Sequence, residues 1–500
     1  MRVQKRARCR FQAESLIPRP KKAYERPRHF PGSRYRDTLA SMKRASSRKA
    51  SKRLGLLSLG CPKNTVDSER LLGEMAALGW EFVEKMADAD CLVVNTCGFI
   101  RDARLESEEA IAEICEIKSK YPDVILVATG CLPQRIPGIL NEKFPGLDLV
   151  VGVGSLPMLP QLIETLWIDR RKKIDDPALC APGRATLSSS ISPRLRISPW
   201  WTANMKIAEG CGHECAFCTI PSIKGPHISR PISDLVTEAV NLAEDGVKEL
   251  ILVSQDTTAY GSDIGTNLRS LLKELDRIEG LSWIRIHYLY PSKISKGLLD
   301  AIAESDRIIP YFDIPIQHVS PKVLRSMKRL DPDFDALDLV KKIRARFING
   351  PLPACIRTTI IAGFPGETED DVEMLHAFLE EAMIDRLTVF QYSREEGTAA
   401  AGFADEVPEH AAEGRMHGLM EAQQEISLAI NEGWVGKTMQ VLLEGETDDG
   451  RRFGRSYRDA PEIDGVVLVK GVPDKIEAGT FIRAKITGAL EYDLEGKWSG

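Results

Sequence analysis

Six apolar runs of strand length fall between residues 200 and 395: "NMKIAEG", "KELILVSQD", "WIRIHYLY", "YFDIPIQH", "CIRTTIIAGFPGE" and "RLTVFQYS". Stretches with helical spacing separate them. A strand that returns through a helix pairs with its neighbour in parallel, so the alternation predicts a parallel α/β sheet with crossover helices. Six units are too few for the closed eightfold barrel. They predict an open, partial (β/α)6 barrel over 197–430, finished by helices at about 407–430, with its chemistry at the carboxyl ends of the strands.

The flanks read differently. "LGLLSLG", "DCLVVNTCG" and "VILVATGC" are apolar strand-like runs, with helical stretches at "VDSERLLGEMAALG" and 103–120, so a smaller parallel α/β domain is expected over 53–166. Residues 167–196 are charged, then rich in Pro and Ser, and read as a linker. After Trp434 come short strands with Gly turns, "TMQVLLEGE", "GRRFGRSY", "GVVLVKG" and "GTFIRAKITGALEYDLEG", which suit a small OB-like β-barrel over 434–500. No run of eighteen apolar residues and no secretory leader is present, so a cytoplasmic protein with no membrane partner is expected.

Charge is unevenly placed. Residues 1–52 hold seventeen Lys/Arg and three acids, a net of +14, and the rest of the chain stands at −19. The basic segment lacks apolar periodicity and is expected to be a disordered extension: an RNA-touching arm, a transit peptide, or sequence ahead of a true start at Met42. Residues 437–500 hold ten Lys/Arg and twelve acids. A barrel that gripped RNA should be basic. The acids of "RDAPEIDG" (458–465) are therefore expected to face a basic protein substrate, and Arg451, Arg452, Arg455 and Arg458 form the one candidate basic patch that would oppose this.

Eleven cysteines in a chain of 500 residues point to metal binding or catalysis rather than a disulfide framework. Cys211, Cys215 and Cys218 have the spacing C-x3-C-x2-C directly after the first strand of the partial barrel. Three thiolates suit an iron–sulfur cluster with one iron left open, or a zinc site completed by His213. A second set is spread through the first domain. Cys61, Cys97 and Cys131 each follow an apolar strand, and a parallel sheet brings the carboxyl ends of its strands to one edge, so these three are expected to form a second metal site. Cys91, Cys115 and Cys355 read as core residues, Cys9 and Cys180 as lying in disordered segments, and His213 and His227 as solvated loop residues.

The C-x3-C-x2-C spacing with Phe217 before its last cysteine resembles the radical S-adenosylmethionine superfamily. Two tri-cysteine sets followed by a small barrel resemble the methylthiotransferases within it, over about 53–500. "GCPKNTVDSE", "NTCGFI", "GCGHECAFCTIPSIKGPHISRPI", "VSQDTTAYG", "IPIQHVSPKVLRSMKR", "GFPGET", "GRSYRDAPEIDG" and "EYDLEG" look like the RimO-type branch, which modifies ribosomal protein S-twelve, more than the MiaB-type branch, which modifies a tRNA adenosine. "HYLYPSKI" and Trp200–Trp201 depart from the expected pattern.

The resemblance implies a methylthiotransferase domain, a radical S-adenosylmethionine domain and a TRAM domain. It implies two 4Fe-4S clusters, with Cys211, Cys215 and Cys218 on the reductive one and Cys61, Cys97 and Cys131 on an auxiliary one that carries the transferred sulfur. S-adenosylmethionine would then meet Gln255, Asp256, Gln317, Arg357 and Gly363. The implied reaction replaces C–H by C–S–CH3 at the β-carbon of an aspartyl residue of S-twelve, with electrons from a donor such as flavodoxin or ferredoxin. A tRNA methylthiotransferase and a zinc-binding RNA adaptor are the rival readings.

Overall fold

The computed structural model describes residues 52–169, 172–180, 187, 192–329 and 334–500. The basic extension and Cys9 lie outside the described residues.

The first unit is a five-stranded parallel sheet of β1 (Lys52–Ser58), β2 (Trp80–Phe82), β3 (Cys91–Thr96), β4 (Ile125–Gly130) and β5 (Leu149–Gly152), in the order β2-β1-β3-β4-β5. The central strands β3 and β4 are buried along their whole length, which is why they read as unbroken apolar runs. One face packs Leu71, Leu72 and Met75, and the other Ile111 and Ile114. The helix Pro62–Ala77 also buries Lys63, Asp67, Glu69 and Arg70. A helix buries so much charge only where a second body supplies partners, and here that body is the central unit.

The central unit is a six-stranded parallel sheet: β6 (Thr202–Lys206), β9 (Glu249–Val253), β10 (Trp283–Ile286), β11 (Ile308–Gln317), β12 (Cys355–Ala362) and β13 (Arg386–Gln391), in sequence order across the sheet. A short antiparallel pair, β7 (Ala208–Glu209) and β8 (Ile228–Ser229), brackets the cysteine loop. The helix Glu409–Glu432 closes the unit. The six expected strands are all present, and the sheet stays open.

The third unit is a closed five-stranded barrel of β14 (Thr438–Glu446), β15 (Arg452–Arg455), β16 (Val467–Lys470), β17 (Phe481–Ala489) and β18 (Leu494–Trp498). Its segment 455–464 is inserted under the amino ends of the central strands. Arg455 pairs with Glu249 at 2.6 Å, Arg458 with Asp385 at 3.1 Å, and Asp459 with Arg386 at 2.7 Å. Tyr311 donates to Asp464 at 2.6 Å, and Arg285 donates to the Tyr457 carbonyl at 3.0 Å. This corrects two expectations. Asp459 and Asp464 are engaged inside the molecule instead of facing a substrate. Arg455 and Arg458 are buried, so the four arginines form no surface patch.

Trp200 and Trp201 belong to the same junction. Trp201 is buried and donates to Glu444 at 3.4 Å, and a Cβ on Gly479 would stand 2.4 Å from the Trp200 ring. The expected linker is also partly built into the fold. The turn Pro177–Cys180 buries Leu179 and Cys180 against the first unit, so Cys180 is a core residue. Arg194 ties Glu69 of the first unit to Glu238 of the second, at 2.5 and 2.9 Å. Cys91 and Cys355 are buried as expected, and Cys115 is half-buried. Among the described residues no helix is long and apolar enough to cross a membrane.

Candidate functional site

Cys61 ends the loop after β1, Cys97 follows β3, and Cys131 follows β4. Register alone brings the last two together, because Thr96 pairs with Gly130. Gly60 lets the first approach. Its φ of 88° lies in the left-handed region, and a Cβ there would stand 2.9 Å from Cys97 Cβ and 3.2 Å from its Sγ. Asn64 ties the loop ends together, donating to the carbonyls of Leu59 and Thr96 at 3.0 Å each, with its Oδ1 3.8 Å from Cys131 Sγ. Burial pushes the Cys97 thiol up and the Cys131 thiol up to about 12.

The second set lies on the loop after β7. Gly210, at φ 76°, makes the turn, and its missing Cβ leaves room for the Pro226 carbonyl. The loop is fastened by backbone bonds from Cys211 to Gly225 at 3.1 Å and from Ala216 to Met327 at 2.8 Å. Arg329 donates to Cys215 Sγ at 3.5 Å and lies 4.6 Å over the Tyr290 ring. Burial pushes the Cys211 thiol up and the Cys218 thiol up to about 12. Thiols held this high are protonated at neutral pH, so loading with iron must displace protons.

The ten described cysteines are all free. Among the described residues no three His, Cys, Asp or Glu side chains converge closely enough to hold one metal ion. A four-iron cluster spaces its thiolates more widely, and three soft donors per set, with glycines clearing the approach, fit such a group. His213 has other partners and does not complete a zinc knot. It stacks on Tyr290 at 3.8 Å between centroids and bonds Asp256 at 2.7 Å, so it is an ordered residue and not a solvated one. Burial alone would raise the Asp256 carboxyl, but hydrogen bonds from His213 and Thr258 outweigh it and hold the group low.

Both sets open on one mouth, at the carboxyl ends of the central strands. Lys63, two residues past Cys61, donates to the Ser254 carbonyl at 3.3 Å just beyond β9. Lys206 bridges Asp67 of the first unit and Glu209, at 2.5 and 2.6 Å. Lys224 lies 3.5 Å from Glu209 and 3.8 Å from Asp67, and its buried nitrogen makes no hydrogen bond among the described residues. Glu395, 2 % exposed, fixes the docking by accepting from Arg101 N and Arg135 at 2.7 Å each and pairing with Arg104 at 3.2 Å.

The other expected cofactor residues divide. Gln255 and Asp256 lie at this mouth. Gln255 donates to Glu209 at 2.6 Å, and its buried Oε1 has no partner among the described residues. Gln317 ends β11 with φ 76°. Arg357 sits near the start of β12, bonded to Asp313 at 3.2 Å and Thr388 at 2.8 Å, with Asp464 at 3.5 Å. The Gly363 position is filled from below: a Cβ would stand 2.3 Å from Ala412 Cβ, so its freedom serves helix packing. Arg329, Tyr288 and Tyr290 went unnoticed in the sequence. The sequence does mark the two tyrosines, because they stand in the departure "HYLYPSKI".

Residues 53–152 match the uncharacterized protein family UPF0004, 205–379 the radical SAM superfamily, and 435–498 the TRAM domain. The fold is shared with a radical S-adenosylmethionine methyltransferase, TsrM, from Kitasatospora setae, whose structure has cobalamin and a 4Fe-4S cluster bound. That match has 15% identity and a TM-score of 0.51, covering 80% of this chain and 81% of that one. These three segments, on this fold and with two sets of three thiols, define a radical S-adenosylmethionine methylthiotransferase. Relatives named ribosomal protein uS12 methylthiotransferase RimO sharpen the class. The protein from Thermoanaerobacter sp. (strain X514) is 42% identical over 89% of this chain and all of its own length. That from Pelotomaculum thermopropionicum is 43% identical over 89% of this chain and 99% of its own length. The chain belongs to the RimO family of methylthiotransferases.

Proposed function

We propose that the chain attaches a methylthio group to the β-carbon of an aspartyl residue of ribosomal protein S-twelve. The observation that carries this reading is that the two thiol sets, contributed by separate units, open on one mouth. In our reading Cys211, Cys215 and Cys218 hold the reductive 4Fe-4S cluster, and Cys61, Cys97 and Cys131 hold the auxiliary one. Gln255, Asp256 and Gln317 stand where S-adenosylmethionine would lie. When bound, these groups supply the one-electron chemistry that an unactivated carbon demands. The chain's own residues set the stage. Glu395 and Arg194 fix the two sets relative to one another, and His213 and Asp256 brace the cysteine loop. A flavodoxin- or ferredoxin-type donor in the cytoplasm would supply electrons. Burial of Arg455 and Arg458 takes two of the third unit's ten Lys/Arg out of reach of phosphates, which favours a protein substrate over tRNA.

The test is to incubate the reconstituted enzyme separately with S-twelve and with unmodified tRNA. Mass spectrometry should find a methylthio group on an aspartate of the protein. Incorporation only into tRNA would end this reading.

A further inference from the structure

The charges at the shared mouth nearly balance. Lys206 and Lys224 face Asp67 and Glu209, and His213 faces Asp256. Lys63 is left over. It is 8 % exposed, its ammonium donates to the Ser254 carbonyl at 3.3 Å, and it lies 3.8 Å from the centre of the Tyr288 ring. Among the described residues no carboxylate lies within ion-pair distance of it. A carbonyl and a ring face leave at least one of its three protons unused. Burial works against this charge, and Tyr288, Cys61 and Glu209 favour it from nearby, but no carboxylate among the described residues touches it, so an arriving anion finds an unused donor.

The surroundings hold that cation in place. Tyr288 has φ 59°, an uncommon conformation for a bulky residue, and its N–H is tied to Asp313 at 3.1 Å. The ring is thereby presented to an ammonium that arrives from the first unit. Lys63 thus stands between the two thiol sets, two residues from one and beside the loop that carries Gln255 and Asp256 for the other.

We propose that Lys63 binds the carboxylate of the target aspartyl side chain and so selects an acidic residue over its amide. This rests on the functional reading above, since an adenosine would bring no carboxylate to the mouth. Two other anions could claim the charge: the thiolates of a loaded cluster, and the carboxylate of S-adenosylmethionine. Lys224 already supplies a buried positive charge beside Cys131.

The test uses the full chain with both clusters reconstituted, S-twelve, and S-twelve with the target aspartate changed to asparagine. The readouts are binding, KM and kcat for transfer, iron content, and reductive cleavage of S-adenosylmethionine. The wild type should bind the aspartate protein at least about tenfold more tightly than the asparagine one. Lys63→Met and Lys63→Gln should erase that preference by weakening the aspartate protein alone, and Lys63→Arg should keep part of it. Iron and cleavage should stay at wild-type levels. A preference that survives in Lys63→Met, with the wild type active, overturns the assignment alone. Lost iron or lost cleavage also overturns it, by assigning the charge to a cluster or to the cofactor. A wild type that leaves the aspartate protein unmodified overturns the functional reading, and the assignment falls with it.

Discussion

The two ends of the central sheet bury charge in opposite ways. At the amino ends, Glu249 receives both Arg285 and Arg455, and Asp385 and Asp459 receive Arg458 and Arg386. Each of these three carboxylates meets a guanidinium from across the junction. At the carboxyl ends, among the described residues, Lys63 has no carboxylate within ion-pair distance, Lys224 no hydrogen bond, and Gln255 an unmet oxygen. Both ends leave some buried atoms without a hydrogen bond among the described residues, Arg285 Nη2 and Arg386 Nε at the first and Lys224 Nζ and Gln255 Oε1 at the second, so the ends differ in how their charges are paired. Tyr288 and Gln317, two of the five non-glycine residues with positive φ among the described residues, also lie toward the second end.

The largest expected effect separates the two thiol sets within the working end. Changing Cys211, Cys215 and Cys218 to Ala should abolish cleavage of S-adenosylmethionine and leave about half the iron, because each set would hold one cluster. Changing Cys61, Cys97 and Cys131 should spare cleavage and stop transfer. Full iron and full transfer in the second triple variant would refute the auxiliary site.

Glu249 tests the first end. Burial alone would raise its carboxyl, but Arg455 and Arg285 outweigh burial and bring it from 4.5 to about 2. Its contribution is therefore present above about pH 4.5 and is lost as pH falls toward 2. The difference is worth roughly 3 kcal/mol. Glu249→Gln should cost about that much in urea unfolding at neutral pH, by leaving Arg285 without a carboxylate and Arg455 with Glu444 alone, and should flatten the acid limb of the stability curve. Cleavage of S-adenosylmethionine by the folded fraction should be unchanged. A large loss of cleavage at full stability would show that the two ends are not separable.

One substitution made at both ends gives the smallest effect. Gly479→Ala should cost about 1–2 kcal/mol, because the half-exposed Trp200 can give way, and should leave activity intact. Gly60→Ala carries the same left-handed strain, about 1–2 kcal/mol, and also pushes on Cys97, so iron at the first set should fall as well. Equal activity losses from the two would blur the contrast.

The central strands were legible because a buried parallel strand must be apolar along its whole length, and the cysteine sets because strand ends share an edge. Two strands of the first sheet escaped notice. "WEF" and "LVVG" are three and four residues long, too short to show a period. Pro177–Cys180 read as linker because its composition is that of a loop, although Leu179 and Cys180 fill a core. His213 read as solvated because its stacking partner, Tyr290, is far along the chain. The acids of "RDAPEIDG" misled for the same reason. Composition gives the sign of a charge, and only the fold shows whether it meets Arg386 or solvent.

The inserted segment 455–464 also bears on how the chain is made. Translation delivers β6 to β13 before Arg455 leaves the ribosome, and at roughly 5–20 residues per second that interval lasts several seconds. Until then Glu249 has Arg285 and the Thr202 hydroxyl but lacks Arg455, Asp385 lacks Arg458, and Arg386 lacks Asp459. The nascent central unit therefore waits with an open floor, and its last stabilising contacts come from the part of the protein synthesised last. A chain arrested before Arg455 is expected to be cut by protease across 202–391, and one released after Trp498 to resist.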